Sequence, residues 1–212
     1  AGDYLENLRQ SLVYSSNLSR DNNGDSLQNS VILRTNAMLY EGWEVIFDQG
    51  YFWQEEDDGN DSETLFLGFD TSVTPHPRLR FFLDYNISWH DSTNTSTRRQ
   101  ETGRASLSWV PLDTISLSST LRLFRDDEKT DTSWEYNVSW LPLRDGDLQL
   151  SLSWYEKENP DGDRTRSASS NMSWAVARKA TLNLNYSVAE VDTERDITTS
   201  ETFQATFKIY FN

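Results

Sequence analysis

The chain of 212 residues contains no cysteine, which excludes disulfide staples, thiol catalysis and cysteine-ligated metals. It has two histidines and no zinc spacing, glycine-rich phosphate loop or serine elbow. No cofactor or metal site is expected. No run of about 20 apolar residues occurs, so helical membrane spans are excluded. Basic residues are in short supply too: 19 Lys and Arg face 34 Asp and Glu, a formal net charge of -15. Phosphate binding needs a basic face, so a nucleic-acid partner is not expected. Nine glycines and five prolines are few for a sandwich with many turns. The chain opens at Ala1-Gly2 without an apolar leader, so an exported protein is expected to have lost its signal peptide already.

What the chain does have is tryptophan in a pattern. Trp43, Trp109, Trp140 and Trp174 stand beside short turn-like stretches, and Trp53, Trp89, Trp134 and Trp154 stand near polar loops. Each falls on the more apolar face of an alternating segment. In 78–90, Leu79, Phe81, Leu83, Tyr85, Ile87 and Trp89 share one face, while Arg80, Phe82, Asp84, Asn86, Ser88 and His90 share the other. The period of two is that of a strand. About twelve such segments are expected, at 4–19, 28–40, 42–54, 62–74, 78–90, 99–110, 113–125, 131–141, 147–157, 165–176, 179–191 and 200–211. The connections alternate between short turns and longer polar loops, an asymmetry that suits outer-membrane barrels and puts both termini on the short-turn, periplasmic side. Ser-Trp recurs at 108–109, 139–140 and 173–174, each time ending a strand.

Sorting residues by parity separates two chemistries. One face is almost wholly Leu, Val, Ile, Phe, Tyr, Trp and Ala, with exceptions such as Gln49, Thr71 and Ser119. The other carries Arg9, Arg34, Arg80, Arg104, Arg122 and Lys208 beside Glu44, Asp48, Asp70, Asp84 and Glu135. A mean hydropathy of -0.71 agrees with a membrane barrel, because only alternate residues meet lipid. A soluble sandwich would turn the same faces the other way round. Segments of 11–13 residues with tryptophan at their ends favour the membrane, where amphipathic rings settle at both interfaces. Trp43 and Trp53, ten residues apart, span about 25 Å along the normal at a tilt near 40°, the height of the apolar band.

On these residues the whole chain resembles the bacterial outer-membrane β-barrel class and is similar in size to the small twelve-stranded porins for acidic oligosaccharides. Its last strand, with Phe203, Ala205, Phe207, Ile209 and Phe211 at alternate positions, resembles the C-terminal strand that barrel-assembly machinery reads; Asn212 departs from the usual aromatic end. No family motif accompanies the resemblance, and the mixed-sign polar face differs from the strongly basic one of such porins. The resemblance implies an all-β, antiparallel, up-and-down transmembrane barrel of about twelve strands forming one domain over 1–212. Outer-membrane lipid and lipopolysaccharide, the assembly machinery and a periplasmic or surface protein are the expected partners.

Twelve strands give a backbone diameter of about 24 Å, which side chains reduce to about 10 Å or less. Arg34, Asp48, Arg80, Asp84, Arg104, Arg122 and Glu135 are the expected lining residues. Their functional reading is a charged constriction selecting small solutes by sign and size. Their bland reading is a salt-bridge net that plugs a scaffold barrel serving an export or surface assembly. A third reading, a rim hydrolase, rests on His90 beside Asp91 and Ser92. The acidic run Glu55, Glu56, Asp57, Asp58, Asn60 and Asp61 lacks the ordered ligand series of a calcium loop. A non-enzymatic pore is the reading these residues favour.

Overall fold

The computed structural model describes residues 7–21, 24–56, 59, 61–93, 95–127, 129–143, 145–178, 180–193 and 196–209. Twelve strands follow one another: β1 Leu8–Asp21, β2 Gly24–Tyr40, β3 Trp43–Glu56, β4 Ser62–His76, β5 Leu79–Ser92, β6 Thr95–Leu112, β7 Ile115–Asp126, β8 Lys129–Trp140, β9 Leu148–Glu158, β10 Arg164–Ala177, β11 Ala180–Asp192 and β12 Ile197–Ile209. They form one sheet in chain order, antiparallel from β1 to β4 and from β8 to β12. This is the up-and-down order that alternation and short connections dictate. The expected first segment began at residue 4 and the last ended at 211; positions 4–6, 210 and 211, like Asn212, lie outside the described residues.

The strands are longer than expected at the rim of polar loops. β6 begins at Thr95 rather than 99, β8 at Lys129 rather than 131, and β12 at Ile197 rather than 200. Consequently the contrast between long loops and short turns largely disappears, and 141–147, on the short-turn rim, is a longer connection than 93–94. The cause is local. Thr97, Thr130, Thr132, Thr198 and Thr199 are β-branched and suit a pleated strand, and a ladder satisfies backbone groups whether or not the side chains are polar.

Contacts group the chain into two compact units: Ala1–Pro75 with Phe82–Ala105 and Leu123–Lys129, and His76–Phe81 with Ser106–Arg122 and Thr130–Asn212. In the first unit, Leu8 to Asp21 pair with Ala37 to Gly24, and Trp43 pairs with both Tyr40 and Val73. A bulge between Met38 and Tyr40 brings Tyr40 onto the Trp43 ring at 5.8 Å. The turn that follows needs Gly42, whose φ is +80°; an added Cβ would stand 2.8 Å from the Thr74 carbonyl oxygen. Gly42→Ala is therefore expected to lower stability by at least about 1 kcal/mol, the usual left-handed penalty, measurable by urea unfolding in vesicles. In the second unit, β9, β10 and β11 keep one register from Arg164 to Trp174, with Trp154 opposite Ala168 and Met172 opposite Leu184. A second bulge falls between Ala175 and Ala177, again at the turn end.

The burial is opposite to that of a soluble domain. Among the described residues no hydrophobic side chain is buried, whereas Leu12, Leu65, Leu152, Trp154, Phe203 and Phe207 are exposed. A sandwich of this length would hide its large apolar side chains in a core.

Candidate functional site: a charged face of paired arginines and carboxylates

The polar face of the first unit is built by β2 to β6. Arg34 on β2 stands directly opposite Asp48 on β3. Its Nε donates to Asp48 Oδ1 at 2.8 Å and its Nη2 to Oδ2 at 2.7 Å. This two-point pairing is the strongest geometry available to arginine and carboxylate. One strand further, Gly68 opposes Asp48 and Asp70 opposes Ile46. On β5 and β6, Arg104 Nε donates to Asp84 Oδ2 at 2.8 Å, and the Arg104 guanidinium lies 4.8 Å from the centre of the Phe82 ring. The ring and the carboxylate together fix that cation.

The second unit repeats the scheme. Arg122 Nη1 donates to Glu135 Oε2 at 3.0 Å, and the Asn137 amide donates to Oε1 at 3.0 Å. Lys157 pairs with Asp131 at 3.3 Å. Arg80, the remaining residue expected in the lining, is also engaged by a partner. Of the seven expected residues, six therefore form three neighbouring-strand pairs. The pairs run between adjacent strands and stay wet: the side chains of Arg34, Arg104 and Arg122 are 59%, 49% and 50% exposed.

Two features cut across the sorting by parity. Phe52 and Phe66 lie on the polar parity and stack at 5.5 Å, where Gly50, opposite Phe66, leaves room for the ring. On the apolar parity, Glu101 is only 6% exposed. It accepts a hydrogen bond from the Tyr85 hydroxyl, and Arg99 Nη2 lies 2.8 Å from its Oε1. The period-two pattern gives no sign of either, because both depend on which residue of the neighbouring strand stands opposite.

Six of the tryptophans lie toward strand ends, whereas Trp134 and Trp154, expected there too, fall mid-strand on β8 and β9. Trp43 opens β3 and donates Nε1–H to Thr71 Oγ1 at 3.0 Å, while Trp53 stacks on Tyr51 at 5.4 Å. Trp89 and Trp109 lie near the ends of β5 and β6. Trp134 stacks on Tyr136, which stands opposite Trp154. At the other end Trp140 opposes Leu150 and Trp174 opposes Leu148. The close spacing of Trp134 and Trp140 follows from Trp134 standing in the middle of β8 while Trp140 ends it. Beyond Trp134 and Trp154 the apolar parity turns charged, with Arg166 bonded to Glu156 at 3.2 Å and Arg164 to Glu158 at 3.2 Å. At the rim, His90 Nδ1 lies 2.9 Å from Thr64 Oγ1 on β4. Of the acidic run, Asp57, Asp58 and Asn60 lie outside the described residues.

Comparison with known proteins agrees at the level of architecture. The siderophore receptor PirA from Pseudomonas aeruginosa overlaps 93% of this chain at a TM-score of 0.62 and 12% identity. The chain has the fold of an outer-membrane β-barrel. It spans 42% of the receptor's own length. The NanC porin matches over 95% of this chain and all of its own, with a TM-score of 0.43 and 9% identity. Pseudomonas aeruginosa OccK11 matches over 95% of this chain and 71% of its own, with a TM-score of 0.44 and 10% identity. No protein-family model and no curated protein matches the chain.

Proposed function

We propose that the chain is a single barrel domain in a bacterial outer membrane, termini periplasmic, and that small polar or charged solutes pass along its charged face. The observation that carries this reading is the lateral pairing. Arg34–Asp48, Arg104–Asp84 and Arg122–Glu135 join neighbouring strands and lie along the wall, half-exposed. Such a wall presents polar, half-wet groups to passing solutes, and the charge left over on it selects them by sign. The apolar parity meets lipid and lipopolysaccharide, and β12 is what the assembly machinery reads. The reading assigns no catalytic step and no cofactor.

One observation favours a second reading. With all these arginines engaged, the same pairs can serve as struts of a plugged scaffold that anchors an export or surface partner. Conductance in a planar bilayer under a salt gradient separates the two. Discrete current steps are expected from the purified protein, and Arg80→Glu with Arg104→Glu should move the reversal potential toward cations. Currents unchanged by the double substitution would remove these residues from the lining, and a folded but silent protein supports the scaffold.

A further inference from the structure

One row of the first unit's polar face, running from Arg34 to Arg104, does not balance its charge. Its ladder places three carboxylates between two guanidiniums. Arg34 is bonded to Asp48 and Arg104 to Asp84, while Asp70 stands on β4 between them. The register locates it closely. Thr64 bonds His90, and a Cβ on Gly68 would lie 2.7 Å from Asn86 Oδ1; the next polar-face step along this antiparallel run sets Asp70 opposite Asp84. Asp70 lies within Coulombic reach of Asp48, Asp84, Arg34 and Arg104, yet both arginines give their short bonds to the other two carboxylates. Gly68 meanwhile places no side chain over the ground between Asp48, Asp70 and Asn86. Like charges directly opposite each other across a ladder are destabilising, so this arrangement costs stability.

We infer that Asp70 is a specificity-determining residue of the pore, the uncompensated charge of this row that makes the pore prefer cations. The inference rests on the pore reading. Arg34–Asp48 and Arg104–Asp84 each present nearly zero net charge to a passing ion, and Asp70 supplies the remainder of minus one. Small monovalent cations gain from that remainder and anions are opposed by it. The two salt-bridged carboxylates position the arginines and do not set the sign.

The test is the cation-to-anion permeability ratio in a potassium chloride gradient. The wild type should prefer potassium, and Asp70→Asn should reduce the ratio about 16-fold, because one unit charge roughly 5 Å away in water weights each ion about fourfold, in opposite directions for cation and anion. Asp70→Lys should turn the preference toward chloride. Heat-dependent gel mobility reports folding of each variant, and Asp70→Ser removes the same charge should the asparagine variant not fold. A conducting Asp70→Asn channel with the wild-type ratio overturns this inference and leaves the pore standing. A folded wild type without current overturns both.

Discussion

Leu152→Arg is expected to destabilise the membrane-folded protein by about 2–4 kcal/mol, the cost of arginine near the midplane of a barrel's lipid face. Leu152 lies mid-strand on β9, opposite Val138 and Ser170, and is 58% exposed. Trp154 flanks it toward one rim and Leu148, opposite Trp174, toward the other. Ser151→Arg, one position away, turns to the opposite face, where serine and asparagine stand beside it, and is expected to cost much less. The measurement is urea unfolding of both variants in phospholipid vesicles. The contrast is the point, since a one-residue step changes only the face. Equal costs would mean that the apolar parity does not meet lipid.

A comparable loss is expected on the other face. In Gly50→Ala the new methyl group would overlap the Phe66 ring, which lies across the glycine. Overpacking typically costs about 1–3 kcal/mol. Phe66 is also stacked on Phe52, so moving it aside sacrifices a second contact. The close approach identifies the partner, and a double-mutant cycle isolates it. Phe66→Leu in the Gly50→Ala background should recover part of the lost stability, although Phe66→Leu alone destabilises. If the two losses simply add, the ring does not lie over the glycine.

Most of the architecture was legible because a period of two is written residue by residue. Arg34, Asp48, Asp84, Arg104, Arg122 and Glu135 could be placed on one face before any pairing was known, and the twelve segments could be counted. Which of them meet depends on register, and register is a relation between strands. The Arg34–Asp48 pair exists because those positions fall opposite each other, a fact held jointly by the Glu41-Gly42 turn and the bulge beside it. Glu101 shows the same limit. Its parity marks a residue facing lipid, but only the arrival of Tyr85 and Arg99 explains how a carboxylate is tolerated there. The polar stretches read as loops failed for another reason: charge reports exposure to water, and a strand projecting past the apolar band is as wet as a loop.

The strand order has a consequence for how the molecule is made. Each strand pairs with the one just before it in the chain, so ladder partners within a hairpin are never further apart in sequence than two strand lengths and the connection between them. Bringing such partners together closes only a modest loop, and that entropy grows slowly with length. A chain of this kind has low contact order and can zip up one hairpin at a time, each new strand docking on an edge already in place.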